Sequence, residues 1–215
     1  LGRVERVYTP VEEEEIEHVI RARLFYKINE KELKEIVDEF VDYAYQEKLL
    51  SDDERIIYRE KFLKSYPFKP EVIDTLYKKW GSFPTFQRTR GVLRILSLVI
   101  YESINKEIPF IRLGDFNLAN HEIRRELIKH IGNEWDSVIS EDIASEESGA
   151  KKVDKAIGVS FAPYKLGTVV STTIFMSSFS GKGRADISIN KLKLSTIYPN
   201  LSSTVIDLSL IHISE

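Results

Sequence analysis

Apolar positions recur at helical spacing along most of the chain. Thr9 and Pro10 form a helix start, because Thr caps well and Pro suits the first helical position. The acidic run Glu12 to Glu15 favours the positive end of that helix and reads as a solvated first turn. Ile16, Val19, Ile20, Leu24 and Phe25 then supply its buried face. Asn29-Glu30 opens a second helix, whose stripe is Leu33, Ile36, Val37, Phe40, Val41 and Ala44. A third short helix is expected over 52–63. Two prolines make 65–70 an extended connector.

The pattern predicts helix again over 71–80, with Val72, Ile73, Leu76, Tyr77 and Trp80 inward. Gly81-Ser82-Phe83-Pro84 ends it. A long helix follows over 86–103. Residues 106–117 change character: Ile108-Pro109-Phe110-Ile111-Arg112-Leu113 reads as a short strand before a turn at Gly114-Asp115. Asn120 caps a helix carrying Ile123, Leu127 and Ile131. Further helices are expected over 135–143 and 145–157, with a loop over 158–166. The β-branched run 168–179 fits either helix or strand. Ser180-Gly181-Lys182-Gly183 is a turn, 186–197 a helix, and 202–207 the start of another. Arg3 to Tyr8 alternate like a short strand. The fold class is therefore mainly α, and short helices around a tight turn at the end fit the start of a winged-helix-like unit.

Composition narrows the function. With 42% hydrophobic and 30% charged residues the chain is globular rather than disordered. A net charge of −3 argues against a protein that coats nucleic acid over its whole surface. The absence of cysteine removes disulfides, thiolate zinc sites and cysteine nucleophiles. His18, His121, His130 and His212 are scattered, so no metal-ligand pair stands out and no metal is expected. With no secretory signal and no run long enough to span a bilayer, a cytoplasmic location is expected. The chain starts at Leu1 rather than Met, and 208–215 reads like the translation of a sequencing-library adapter. Both features suggest a piece of a longer protein.

Most standard catalytic motifs are missing. There is no Gly-x4-Gly-Lys-Ser/Thr phosphate loop, no nucleophile elbow and no dinucleotide fingerprint. Asp115 and Asp142 read as lone helix-capping carboxylates. What remains is Phe86-Gln87-Arg88-Thr89-Arg90-Gly91-Val92-Leu93-Arg94. It places three guanidiniums at a helix mouth, where backbone N–H groups also favour anions. Arg90 and Arg94 share a helix face, and Gly91 leaves room for close approach. Spacing alone allows two outcomes: a polyphosphate site, or salt bridges to Glu71 or Asp74.

Two resemblances add to this. Arg3-Val4-Glu5-Arg6-Val7-Tyr8-Thr9-Pro10 looks like the junction between core and helical lid in AAA+ ATPases, and Gly91-Val92-Leu93-Arg94 resembles their sensor 2 motif. Ser65-Tyr66-Pro67-Phe68-Lys69-Pro70-Glu71, Trp80-Gly81 and Thr85 to Arg94 are similar to a prokaryotic AAA+ family. That family carries a domain-of-unknown-function label and is related to the phage-growth-limitation ATPase PglY. Lys69 departs from it, standing where the family usually has His.

The resemblance implies an AAA+ helical lid over 1–109, a helical connector over 110–166, and a truncated winged-helix-like domain over 167–207. Arg94, Arg90 and Arg88, with Gly91, would then face nucleotide, and Arg3 or Arg6 would act as an arginine finger in trans. ATP and Mg would be held by an upstream core of the same protein, leaving this part inactive alone. Other subunits of an oligomer, or DNA in a phage-defence setting, are the further partners it implies. Two other readings stand beside it. One is a nucleic-acid-binding module using Lys182, Arg184, Lys191 and Lys193. The other is a helical protein-interaction scaffold.

Overall fold

Among the described residues, five of the ten α-helices begin with a capping side chain. The computed structural model describes residues 15–183, 185–199, 201–202 and 205–206. Helix α1 is Ile16–Leu24. In α2, Glu30–Gln46, the Asn29 side chain accepts from the backbone N–H of Lys31 and Glu32. In α3, Asp52–Ser65, Ser51 and Glu54 bond reciprocally in a capping box. Helix α4, Pro70–Ile73, runs on through a π turn, Asp74–Lys79, into a 3-10 turn, Trp80–Ser82.

Helix α5 is Thr89–Ser103 and α6 is His121–Ile131, the latter capped by Asn120. Helix α7, Trp135–Val138, also continues as a π turn, Ile139–Ala144. Ser148 and Ser188 cap α8, Gly149–Ala156, and α10, Ile189–Thr196. Between those two lies α9, Leu166–Ser178.

No β-strand occurs among the described residues, so the structure is all-α. The strand expected near 108–113 is reduced to an isolated parallel bridge between Phe68 and Ile111, followed by a 3-10 turn, Leu113–Asp115. A strand needs a neighbouring strand to satisfy its backbone, and here the neighbours are helices. The ambiguous run 168–179 is helical as far as Ser178, with Phe179 extended as its C-cap. The loop expected over 158–166 contains a 3-10 stretch, Val159–Tyr164. The expected N-terminal strand, the start of the first helix before residue 15 and the tail 208–215 lie outside the described residues. Of the expected helix over 202–207, Ser202 is described and not helical, and Val205 and Ile206 are helical.

Two apolar clusters hold the helices together. The first joins α1, α4, α5 and α6 through Ile16, Leu76, Trp80, Ile95, Val99 and Leu127. The second joins α2 and α3 to α10 through Phe40, Phe62, Phe110, Leu192 and Ile197. Helix α9 enters both, giving Phe175 and Met176 to the first and Val170 to the second. Each cluster draws on residues from before 109 and after 166. Gly114 shows how closely α9 is seated: a Cβ there would lie 2.6 Å from Val169 Cγ1.

The last carbonyls of α9 and α10 are met by donors from earlier in the chain. Trp80, fully buried, donates its Nε1–H to Met176 O at 2.8 Å, and Lys79 Nζ donates to Ser177 O at 2.8 Å. Lys69 Nζ and Arg112 donate to Leu194 O and Thr196 O. Cationic groups at a helix C-terminus satisfy orphan carbonyls and complement the helix dipole. The 65–81 segment thus anchors the end of the described chain. Among the described residues no helix is long and apolar enough to cross a membrane.

Candidate functional site

The arginine-bearing turn is built on Phe86. Its ring is buried, tilted against Trp80 at 6.2 Å between centroids and edge-on to His130 at 5.1 Å. Its carbonyl lies over Gly91, where a Cβ would come within 2.1 Å of the oxygen. Only glycine permits that approach, so the close approach expected at Gly91 is made by the Phe86 carbonyl. The chain then passes through two residues in the left-handed region, Gln87 at φ 56° and Arg88 at φ 36°. Side chains other than glycine rarely hold such angles unless their surroundings enforce them. Helix α5 starts directly afterwards, with no side chain capping its first turn.

All three sequence-predicted arginines are exposed at this end. Arg88 lies over the Tyr77 ring, 5.8 Å from its centroid. Arg90 reaches Gln87 Oε1 at 3.4 Å. Neither has a carboxylate partner among the described residues. Arg94 pairs through Nε with Glu126 Oε2 at 2.8 Å. Of the two carboxylates expected to pair with these arginines, Asp74 instead takes Lys78 at 2.9 Å, and Glu71 accepts from the Tyr58 hydroxyl at 3.1 Å.

Glu126 was not singled out by the sequence. It lies three residues after Ile123 and next to Leu127, so it stands beside the apolar stripe of α6. Its side chain is 8% exposed, against 57% for Arg94. Lys129 Nζ also binds its Oε2, at 2.7 Å, and His130 Nε2 stands 3.9 Å from Oε1. His130 Nδ1 and the Thr85 hydroxyl share a hydrogen bond of 2.9 Å, which ties α6 to the arginine turn. Burial pushes the imidazole below its usual pKa, against the pull of Glu126. Its Nε2 is buried and has no hydrogen-bond partner among the described residues.

A second polar centre lies in the other cluster. Arg112, 3% exposed, donates from Nη2 to Asp115 Oδ1 at 2.7 Å and from Nε to Oδ2 at 3.1 Å. The Arg112 backbone N–H donates to Asp115 Oδ2 at 2.7 Å, and the guanidinium lies 3.7 Å from the centre of the Tyr198 ring. Asp115 is therefore the partner of a buried cation rather than a lone helix cap. Lys69 is 1% exposed, with Nζ 4.0 Å from the centre of the Phe40 ring.

Burial lowers the Lys69 pKa from 10.5 to about 7. Between those values the unfolded chain binds more protons than the folded one, so stability rises with pH across that window. Below pH 7 both states are protonated and the full cost of the buried charge remains. The urea midpoint is expected to climb from pH 7 to pH 9, and Lys69→Met is expected to flatten that climb. An unchanged slope in the variant would show that Lys69 keeps its proton.

Among the other predicted residues, Lys182 and Lys191 are exposed and Lys193 is half-buried on α10. Arg3, Arg6 and Arg184 lie outside the described residues. Asp142 is exposed on the π turn after α7. Among the described residues no group of His, Asp or Glu side chains could hold a metal ion.

An all-α domain of interlocked helices presenting a cationic helix mouth is the class that fold and site define. A family profile described as the DUF499 second domain matches residues 11–195, and the chain belongs to that family. No curated protein and no solved structure matches it.

Proposed function

We propose that this domain is the helical lid of an AAA+ ATPase and supplies the guanidinium that reads the terminal phosphate of ATP. The observation that carries this reading is the exposure of Arg88, Arg90 and Arg94 at one end of α5, two of them without a carboxylate partner among the described residues. The strained turn before α5 adds support, since backbone in such conformations concentrates at functional sites. Exposed arginine forks suit a polyphosphate, whose oxygens accept two bonds from one guanidinium.

The domain holds no phosphate loop, and its described residues offer no carboxylate cluster for Mg. ATP and Mg would therefore be held by an upstream core of the same protein. In this reading Arg94 contacts the terminal phosphate, Arg90 and Arg88 carry the positive field outward, and lid position follows nucleotide state. Arg3 or Arg6 would serve a neighbouring subunit. The setting would be a DNA-linked or phage-defence system, and the last segment a partial winged-helix-like unit.

The contact is tested by a structure of the intact protein bound to a non-hydrolysable ATP analogue. An Arg94 Nη atom within about 3 Å of a terminal phosphate oxygen is expected. A triphosphate bound with Arg94 far from it would contradict the reading.

A further inference from the structure

We infer that Glu126 is the positioning residue for Arg94, holding its guanidinium by the Nε edge so that the outer nitrogens face an incoming polyphosphate. This inference rests on the lid reading of the same site. A guanidinium has two useful edges, and a carboxylate can occupy either. Here the closest approach of the ion pair is Nε to Glu126 Oε2, at 2.8 Å, and Nη1 and Nη2 donate no hydrogen bond to the described residues. The arginine is held at its inner edge and left open at its outer one.

Glu126 suits such a role because it is itself fixed. It is nearly buried and keeps Lys129 at 2.7 Å on the same oxygen. Its other oxygen faces His130 Nε2, the buried nitrogen without a partner, at 3.9 Å. His130 in turn bonds Thr85 and packs on Phe86, the residue that shapes the turn bearing Arg88 and Arg90. One carboxylate on α6 thus registers the arginine of α5 against the turn that precedes it. Charges held in place before a ligand arrives lose less on binding than charges that must be ordered by it.

Electrostatics alone makes the opposite forecast. Glu126 is an anion beside an anion site, so removing it should strengthen phosphate binding if charge were all that mattered. The sign of the effect therefore separates positioning from repulsion. Binding of inorganic tripolyphosphate to the 215-residue chain can be followed by calorimetry. Glu126→Ala is expected to weaken it about tenfold, an effect of about 1.4 kcal/mol. Glu126→Gln, which restores an oxygen for Arg94 Nε, is expected to return most of that affinity. In an Arg94→Ala background Glu126→Ala should change nothing further, since coupled residues are not additive.

Tighter or unchanged binding by a folded Glu126→Ala chain would overturn the inference while leaving the lid reading in place. No binding by the unaltered chain would overturn the inference, while the lid reading, in which the upstream core holds ATP, stands or falls on the intact protein. Should Glu126→Ala fail to fold, the Arg94 Nε–H signal in the NMR spectrum of the unaltered chain decides. It should keep its shift when tripolyphosphate is added. Loss of that shift would mean that Glu126 releases Arg94 instead of aiming it.

Discussion

Asp115→Ala is expected to destabilise the domain by about 3–5 kcal/mol, because it leaves the buried Arg112 guanidinium without its counter-charge. Asp115 takes three bonds from Arg112: one from the backbone N–H and two from the guanidinium. After the substitution the cation keeps only Thr196 O and the face of Tyr198. Neither carries a full negative charge. A domain of this kind is stable by roughly 5–15 kcal/mol in total, so the loss takes a large share.

The damage should also spread. Arg112 meets the last turn of α10, and an unpaired charge there loosens the seam between α10 and the second apolar cluster. Urea denaturation should show a lower midpoint for Asp115→Ala. Replacing Arg112 and Asp115 together by apolar residues of similar volume should recover much of the loss, because the stranded charge is then gone. A cost below about 1 kcal/mol for Asp115→Ala would show that Arg112 is solvated rather than buried.

Helices with strong caps and a clean stripe were legible in the sequence. Asn29 and Asn120 mark helix starts, and Val37, Phe40 and Val41 mark a buried face. The π turns at Asp74–Lys79 and Ile139–Ala144 were not legible, because one extra residue per turn leaves no compositional mark. The supposed strand at 108–113 had the apolar, proline-bounded look of β structure. Its neighbours in space, set by distant parts of the chain, are helices.

The site was legible in part. The three arginines stand at the mouth of α5, as their spacing implies. Their surroundings were hidden: Glu126 reaches Arg94 across 32 positions, and nothing near Arg94 in sequence points to it. A glutamate beside an apolar stripe, followed by Lys129 and His130 one turn on, was the available signal. Gly91 was read as room for close approach, and the group that comes close is the Phe86 carbonyl. Trp80 and Lys69, which stood out as motif residues, close off α9 and α10.

Turnover of ATP by the intact protein carrying Arg94→Ala tests the lid reading most directly. A preorganised cation at developing phosphate charge contributes far more to the transition state than to folding, and losing one such donor costs on the order of 100-fold in rate. The fold should tolerate the change, since Arg94 is more than half exposed and Glu126 keeps Lys129. The expected result is a fall in kcat of about 100-fold with the melting temperature nearly unchanged. Normal ATP turnover by a folded Arg94→Ala protein would contradict a phosphate-sensing role and leave Arg94 as a surface partner of Glu126.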